Sequence, residues 1–278
     1  MTVAGITVVG ASDGAIVVQG GHVVMEEVTL ANSTALIEGG GLRLLSGGNV
    51  TANALHIEGC TAGRRGGGVL AGRGTTLFTD LTGHGMEVSG SSAPRGGGLY
   101  CRACTVAGSD FSGTQSLVRL EGNNATLGGN MYVQRSGVVA GLDSARGSAS
   151  SSGGGLYVDA GVVVVTDTVS VRLNVAHGRG AGEGGGGLFL AAGATLRSTS
   201  ATVVADNEAA VGGGAWLSAS SQLLGSAGEE SVRVSSNRAC ARGGGLHIAG
   251  TGVHVHRSTV PLAPTAPRAA SLVSSPPR

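Results

Sequence analysis

The 278-residue chain contains no lysine; all 18 of its basic side chains are arginine. A Walker-type phosphate loop and Schiff-base catalysis both need a lysine amine, so neither chemistry is available. Aromatic residues are scarce, at three tyrosines, three phenylalanines and one tryptophan. Apolar runs such as Val162-Val163-Val164-Val165 fall far short of the roughly 18 residues that span a membrane. Net charge is only +1 and the arginines are dispersed, which leaves no basic stripe for nucleic-acid phosphates. No basic leader or cleavage site follows Met1. Strand-like sequence begins at once, so the chain is expected to be a segment of a longer polypeptide.

Glycine, by contrast, is abundant, at 53 residues. Such a content often marks disorder. Here 41% hydrophobic and 13% charged residues leave ample apolar surface to bury. An ordered fold must therefore use glycine at repeated tight corners.

A triple-glycine box followed by an apolar strand recurs along the chain. It ends at Gly41, Gly68, Gly98, Gly155, Gly187, Gly214 and Gly245, and a variant, Gly128-Gly129-Asn130, fills the remaining place. The boxes lie 25 to 32 residues apart, within the range of solenoid repeats. A second motif, apolar-x-x-(Asn/Ser/Cys)-x-Ala, accompanies seven of the eight boxes. Its polar member is Ser33, Cys60, Ser91, Asn123, Asn174, Asn207 or Asn237. The box ending at Gly155 lacks it. Small and amide side chains at a fixed place suit internal corners, and stacked asparagines can form amide ladders between turns. Helix signals are weak, because glycine and β-branched residues are everywhere. The expected fold is all-β: a single right-handed parallel β-helix of about eight coils over residues 1–258. Proline cannot donate to a strand ladder. Five of the six prolines fall after Thr259, so residues 259–278 are expected to form a disordered tail or linker.

The boxes Gly-Gly-Gly-Leu-Tyr-Val and Gly-Gly-Gly-Leu-Phe-Leu, with Asn-x-Ala upstream, resemble the repeats of polymorphic outer-membrane proteins and related adhesins. The resemblance spans residues 28–248. That family carries a Phe-x-x-Asn motif; here the Phe place holds Val, Leu or Ile, as in Val204-Ala205-Asp206-Asn207. The resemblance implies a β-helical passenger at the cell surface or outside the cell.

Side chains alternate along a strand. If the first and third residues after each box face the core, the second faces outward. That second place holds Arg43, Leu70, Tyr100, Tyr132, Tyr157, Phe189, Trp216 and His247. The last six form the candidate site: an outward stripe that stacks between strands, is covered by another part of the protein, or binds a glycan or surface protein.

Fragments of catalytic motifs are present but unassembled. Gly83-His84-Gly85 resembles a polygalacturonase motif whose companion motifs are missing, and Asp80 beside His84 makes no carboxylate pair of the kind glycoside cleavage uses. Gly10-Ala11-Ser12-Asp13-Gly14 fits a nucleophile elbow, which requires a following helix; strand-like sequence follows instead. Gly180-Ala181-Gly182-Glu183-Gly184-Gly185 fits a dinucleotide fingerprint with the same defect. His254 and His256 share a strand face, near His247, without a full ligand set. Cys101-Arg102-Ala103-Cys104 is a single CxxC suited to a local disulfide in an oxidising compartment. Cys60 is expected to be a buried corner residue. Asn32, Asn49 and Asn124 each begin a glycosylation sequon. No cofactor or metal is expected. The favoured function is a noncatalytic structural or adhesive segment; the alternative is a carbohydrate-active β-helix enzyme or an inactive relative.

Overall fold

A computed structural model describes residues 1–79, 85–108, 118–225 and 232–256, together with the backbone of 258–259 and 274–275. Among the described residues there is no helix, and the strands, most of them short, form three sheets of 18, 8 and 10 strands. The strand pairings are parallel, each joining equivalent places in successive repeats. This architecture is compatible with a parallel β-solenoid. The largest sheet comprises two columns joined by the long strands His22–Ala31 and Asn49–Glu58. In the ten-stranded sheet, eight strands follow the eight boxes, from Leu42–Leu45 to Leu246–Ala249. Ile16–Gln19 precedes them and pairs with the first, without a triple-glycine box of its own. Most of the proline-rich tail lies outside the described residues.

The alternation holds. The first and third residues of the box strands, such as Leu99 and Cys101 or Leu188 and Leu190, join one continuous apolar core with the inward valines and leucines of the large sheet. Each fully buried Val or Leu contributes roughly 1.5–3 kcal/mol.

The three glycines of a box have three different reasons to be glycine. Gly96, the first, has φ 62°, a left-handed conformation that is costly for residues with a Cβ. At Gly97 an added Cβ would lie 2.2 Å from the Asn124 carbonyl oxygen of the next turn. At Gly98 it would lie 2.7 Å from Asn123 Nδ2, in the corner of that turn. The corner has a backbone signature as well: the residue before it, for example Gly122, Leu173, Asp206 or Ser236, has positive φ.

The corner side chains form the expected ladder. Asn174 Nδ2 donates to Asn207 Oδ1 at 3.0 Å, and Asn207 Nδ2 to Asn237 Oδ1 at 2.9 Å. Each Oδ1 also accepts the corner N–H of the preceding turn, as Asn207 does from Asn174 N at 2.9 Å. Cys60 and Ser91 continue the column with weaker groups, Cys60 N donating to Ser91 Oγ at 3.2 Å. Two irregularities in the sequence prove to be one event. Where the corner should carry a side chain the chain has Gly147, and there the preceding box ends in Asn130. The Asn130 amide fills the missing rung: it accepts from Asn123 Nδ2 at 2.9 Å and donates to Asn174 Oδ1 at 3.1 Å. The exchange also leaves the Gly147 N–H paired, because it donates to Asn174 Oδ1 at 2.8 Å.

Candidate functional site

The second residues of the box strands stand in register: Tyr100 pairs with Tyr132, Tyr132 with Tyr157, Tyr157 with Phe189, Phe189 with Trp216, and Trp216 with His247. Parallel strands lie about 4.8 Å apart, which is close to the thickness of stacked rings. Ring centroids are accordingly 5.3, 5.0, 4.8 and 5.9 Å apart from Tyr100 to Trp216, with interplanar angles of 15° or less. His247 lies 4.3 Å from Trp216, tilted by 46°.

The stripe is stacked, but it is not the open surface the alternation suggested. Tyr100 is 0% exposed, Tyr132 2%, Phe189 5%, Trp216 7% and His247 3%; only Tyr157 is half-buried. Ring faces are hidden by their neighbours and ring edges by residues flanking the box strands. The Arg65 guanidinium lies 5.2 Å from the Tyr100 centroid and that of Arg95 6.0 Å from Tyr132, in cation–π range. Leu45, Leu127 and Tyr157 pack against the cluster of Leu70, Tyr100 and Tyr132. At Trp216 the covering element is backbone: a Cβ on Gly184 would come within 3.0 Å of the indole Cε3. Alternation tells which side of the sheet a residue leaves, not what lies above it. The arginines before two boxes, Arg65 and Arg95, were the available signal.

Polar groups finish the covering. Tyr100 donates its hydroxyl to Gln134 Oε1 at 2.6 Å, and Gln134 Nε2 donates to Asp159 Oδ2 at 3.1 Å. Burial pushes the phenol pKa of Tyr100 and Tyr157 above the ordinary value. Tyr132 is pushed up further, by burial first and then by the neighbouring Asp159 carboxylate. His247 is held below the usual imidazole value by burial and by the positive Arg242. Its Nδ1 has no partner among the described residues.

The remaining sequence candidates are not brought together. Asp80, Gly83 and His84 lie outside the described residues. Gly10–Gly14 is followed by the strand Ile16–Gln19, and Gly180–Gly185 by Leu188–Leu190, so neither motif has its helix. Glu183 closes its own loop, accepting from Gly180 N at 2.7 Å. Asp143 is buried and held bidentately by Arg172 at 3.2 and 2.9 Å, while Glu121 is paired with Arg146. His254 and His256 are exposed on the large sheet, whereas His247 is buried on the box sheet. Among the described residues no group of three or more His, Cys, Asp and Glu could hold a metal ion. Cys101 and Cys104 form a disulfide with both residues buried. Cys60 is a buried corner, its thiol donating to backbone carbonyls and pushed up in pKa by burial.

The aromatic column stops at Leu70, which precedes Tyr100 in register and follows Arg43. Beside that stop is a cleft of about 430 Å³, lined by Glu38, Leu45, Arg65, Leu70, Arg73, Tyr100 and Arg102, among others. Against protein-family models, curated proteins and solved structures alike, the chain gives no match, so the resemblance to polymorphic outer-membrane protein repeats rests on the repeat pattern and the parallel strands alone.

Proposed function

We propose that this chain is a noncatalytic structural and adhesive segment of a surface or secreted protein. In this reading it forms one right-handed parallel β-helix of about eight box-marked coils, of the kind found in polymorphic outer-membrane protein passengers. The observation that carries the reading is the pair of continuous columns. A buried amide ladder and a buried aromatic stack each add one member per turn, and together they favour a stiff shaft whose outer residues are free to make contacts. Because most of the aromatic column is covered, adhesion is assigned to its flanks and to the cleft beside Leu70, not to the ring faces. Carboxylates of the large sheet that are locked to arginine, such as Asp143 and Glu121, suit a scaffold better than acid–base work, which needs a proton-exchanging group.

Small-angle scattering of the purified chain tests the shaft, and binding of the labelled chain to glycan arrays and intact cells tests adhesion. An elongated particle with saturable surface binding is expected. A compact particle, or release of new reducing or unsaturated ends from a polysaccharide panel, would overturn the reading.

A further inference from the structure

We propose that the cleft at the end of the aromatic column binds an anionic saccharide, a hexuronate or O-sulfated hexose unit within a glycan chain. The inference names a ligand class for the adhesive segment above and rests on that reading. The cleft lies where a ring is missing. Rings occupy the column from Tyr100 onward, but the preceding place holds Leu70, and beside it a space of about 430 Å³ is left. That volume is within the usual range of small-molecule sites.

Its lining divides by chemistry. Half-buried Leu45 offers an aliphatic surface, with the nearly buried Leu70 (4% exposed) also in the lining, suited to the C–H face of a pyranose ring. Arg65 is already committed: its Nη1 donates to Glu38 Oε1 at 3.0 Å and its guanidinium covers Tyr100. Arg73 and Arg102 are exposed and have no hydrogen-bond or ion-pair partner among the described residues. Two free guanidinium forks are well matched to a carboxylate or sulfate. Glu38 and Ser46 also line the cleft. The Glu38 carboxylate opposes a bare inorganic anion yet can accept hydroxyl donors. The ligand that satisfies all these groups carries one anionic substituent, several hydroxyls and an apolar ring face.

Calorimetric titration with digalacturonate, a sulfated heparin-derived disaccharide, neutral galactobiose and inorganic sulfate tests this. One-site binding of at least one anionic disaccharide is expected, about tenfold or more tighter than galactobiose or inorganic sulfate. The two anionic probes distinguish carboxylate from sulfate recognition. The double variant Arg73→Ser/Arg102→Ser, which alters only exposed side chains, should weaken that binding about tenfold or more. Leu70→Tyr should extend the stack into the cleft and abolish binding with all arginines retained. Equal binding by the folded Leu70→Tyr protein and the wild type would reduce the effect to surface charge and overturn the site. Unchanged affinity in the double arginine variant would also overturn it, as would equal affinity for galactobiose or inorganic sulfate, or no binding of any probe. Retained cell adhesion with no saccharide binding sinks the cleft alone; loss of the elongated particle or of all adhesion sinks the broader reading.

Discussion

The inner amide ladder and the outer aromatic column share one spacing, set by the parallel strands, but different forces hold them. Amides bond directionally and in a dry interior, where an unpaired N–H or C=O costs about 1–3 kcal/mol. A rung therefore cannot be left out, and where the corner side chain is absent at Gly147, Asn130 replaces it from the preceding box. Ring stacking is weaker and less directional, worth about 0.5–1.5 kcal/mol per pair beyond the area buried. The outer column can therefore end, as it does at Leu70 and Arg43, and its ending leaves a cleft instead of a fault.

Breaking the inner ladder should have the largest effect. Asn174→Ala orphans the Gly147 N–H, which Asn174 Oδ1 now accepts at 2.8 Å, and removes the bonds that Asn174 Nδ2 donates to the Ser144 carbonyl at 3.1 Å and to Asn207 Oδ1 at 3.0 Å. We expect a loss of about 3–5 kcal/mol by urea unfolding, with amide exchange accelerated in the adjoining turns. Asn130→Gly should cost nearly as much, about 3 kcal/mol. The interchange Asn130→Gly/Gly147→Asn should recover part of it. Recovery should be incomplete, because a Cβ at residue 147 would sit 2.3 Å from the Gly154 carbonyl oxygen and the backbone must relax. A double variant no more stable than Asn130→Gly would show that the rung has another function.

The outer column should break more gently. Trp216→Ala should cost about 3 kcal/mol, whereas Trp216→Phe, which keeps a ring between Phe189 and His247, should cost less than about 1.5 kcal/mol. Near-ultraviolet circular dichroism of the two variants distinguishes loss of stacking from loss of fold. Alkali probes the same column chemically. The phenol pKa values of Tyr100, Tyr132 and Tyr157 are raised in the fold. Their contribution is complete below the unfolded value of about 10 and is lost as pH climbs beyond it. Absorbance at alkaline pH should therefore show tyrosines that ionise only as the fold opens; free titration near the ordinary value would contradict their burial. The smallest effect is expected at His247, whose pKa is lowered. The stability tied to its neutral ring is present above about pH 6.5 and fades as pH falls through the folded value. His247→Phe should remove that slope between neutral and mildly acidic pH while extending the stack by one ring.

The positions of both columns could be read from the chain. Box spacing aligned Tyr100 with Tyr132 and Asn174 with Asn207, and alternation put Leu99 and Cys101 in the core. Three things could not be read in this way. The box ending at Gly155 lacks the corner motif in the sequence, and its substitute is not legible there because Asn130 and Gly147 meet only through the fold. The positive φ before each corner falls on residues as unlike as Leu173, Asp206 and Ser236, so no residue type announces it. The stripe looked open, because Arg65 and Arg95 cover rings that belong to the following turn.

By itself the sequence determined the period, the strand alternation, the glycine corners and the membership of each column, since these depend on spacing along one chain and on the preferences of single residues. The tertiary structure alone decided that the rings are covered, which residue supplies the missing amide, and where a cleft is left. Each of these turns on contacts between residues about one repeat or more apart, and side-chain size and direction at those contacts are not encoded in any local pattern.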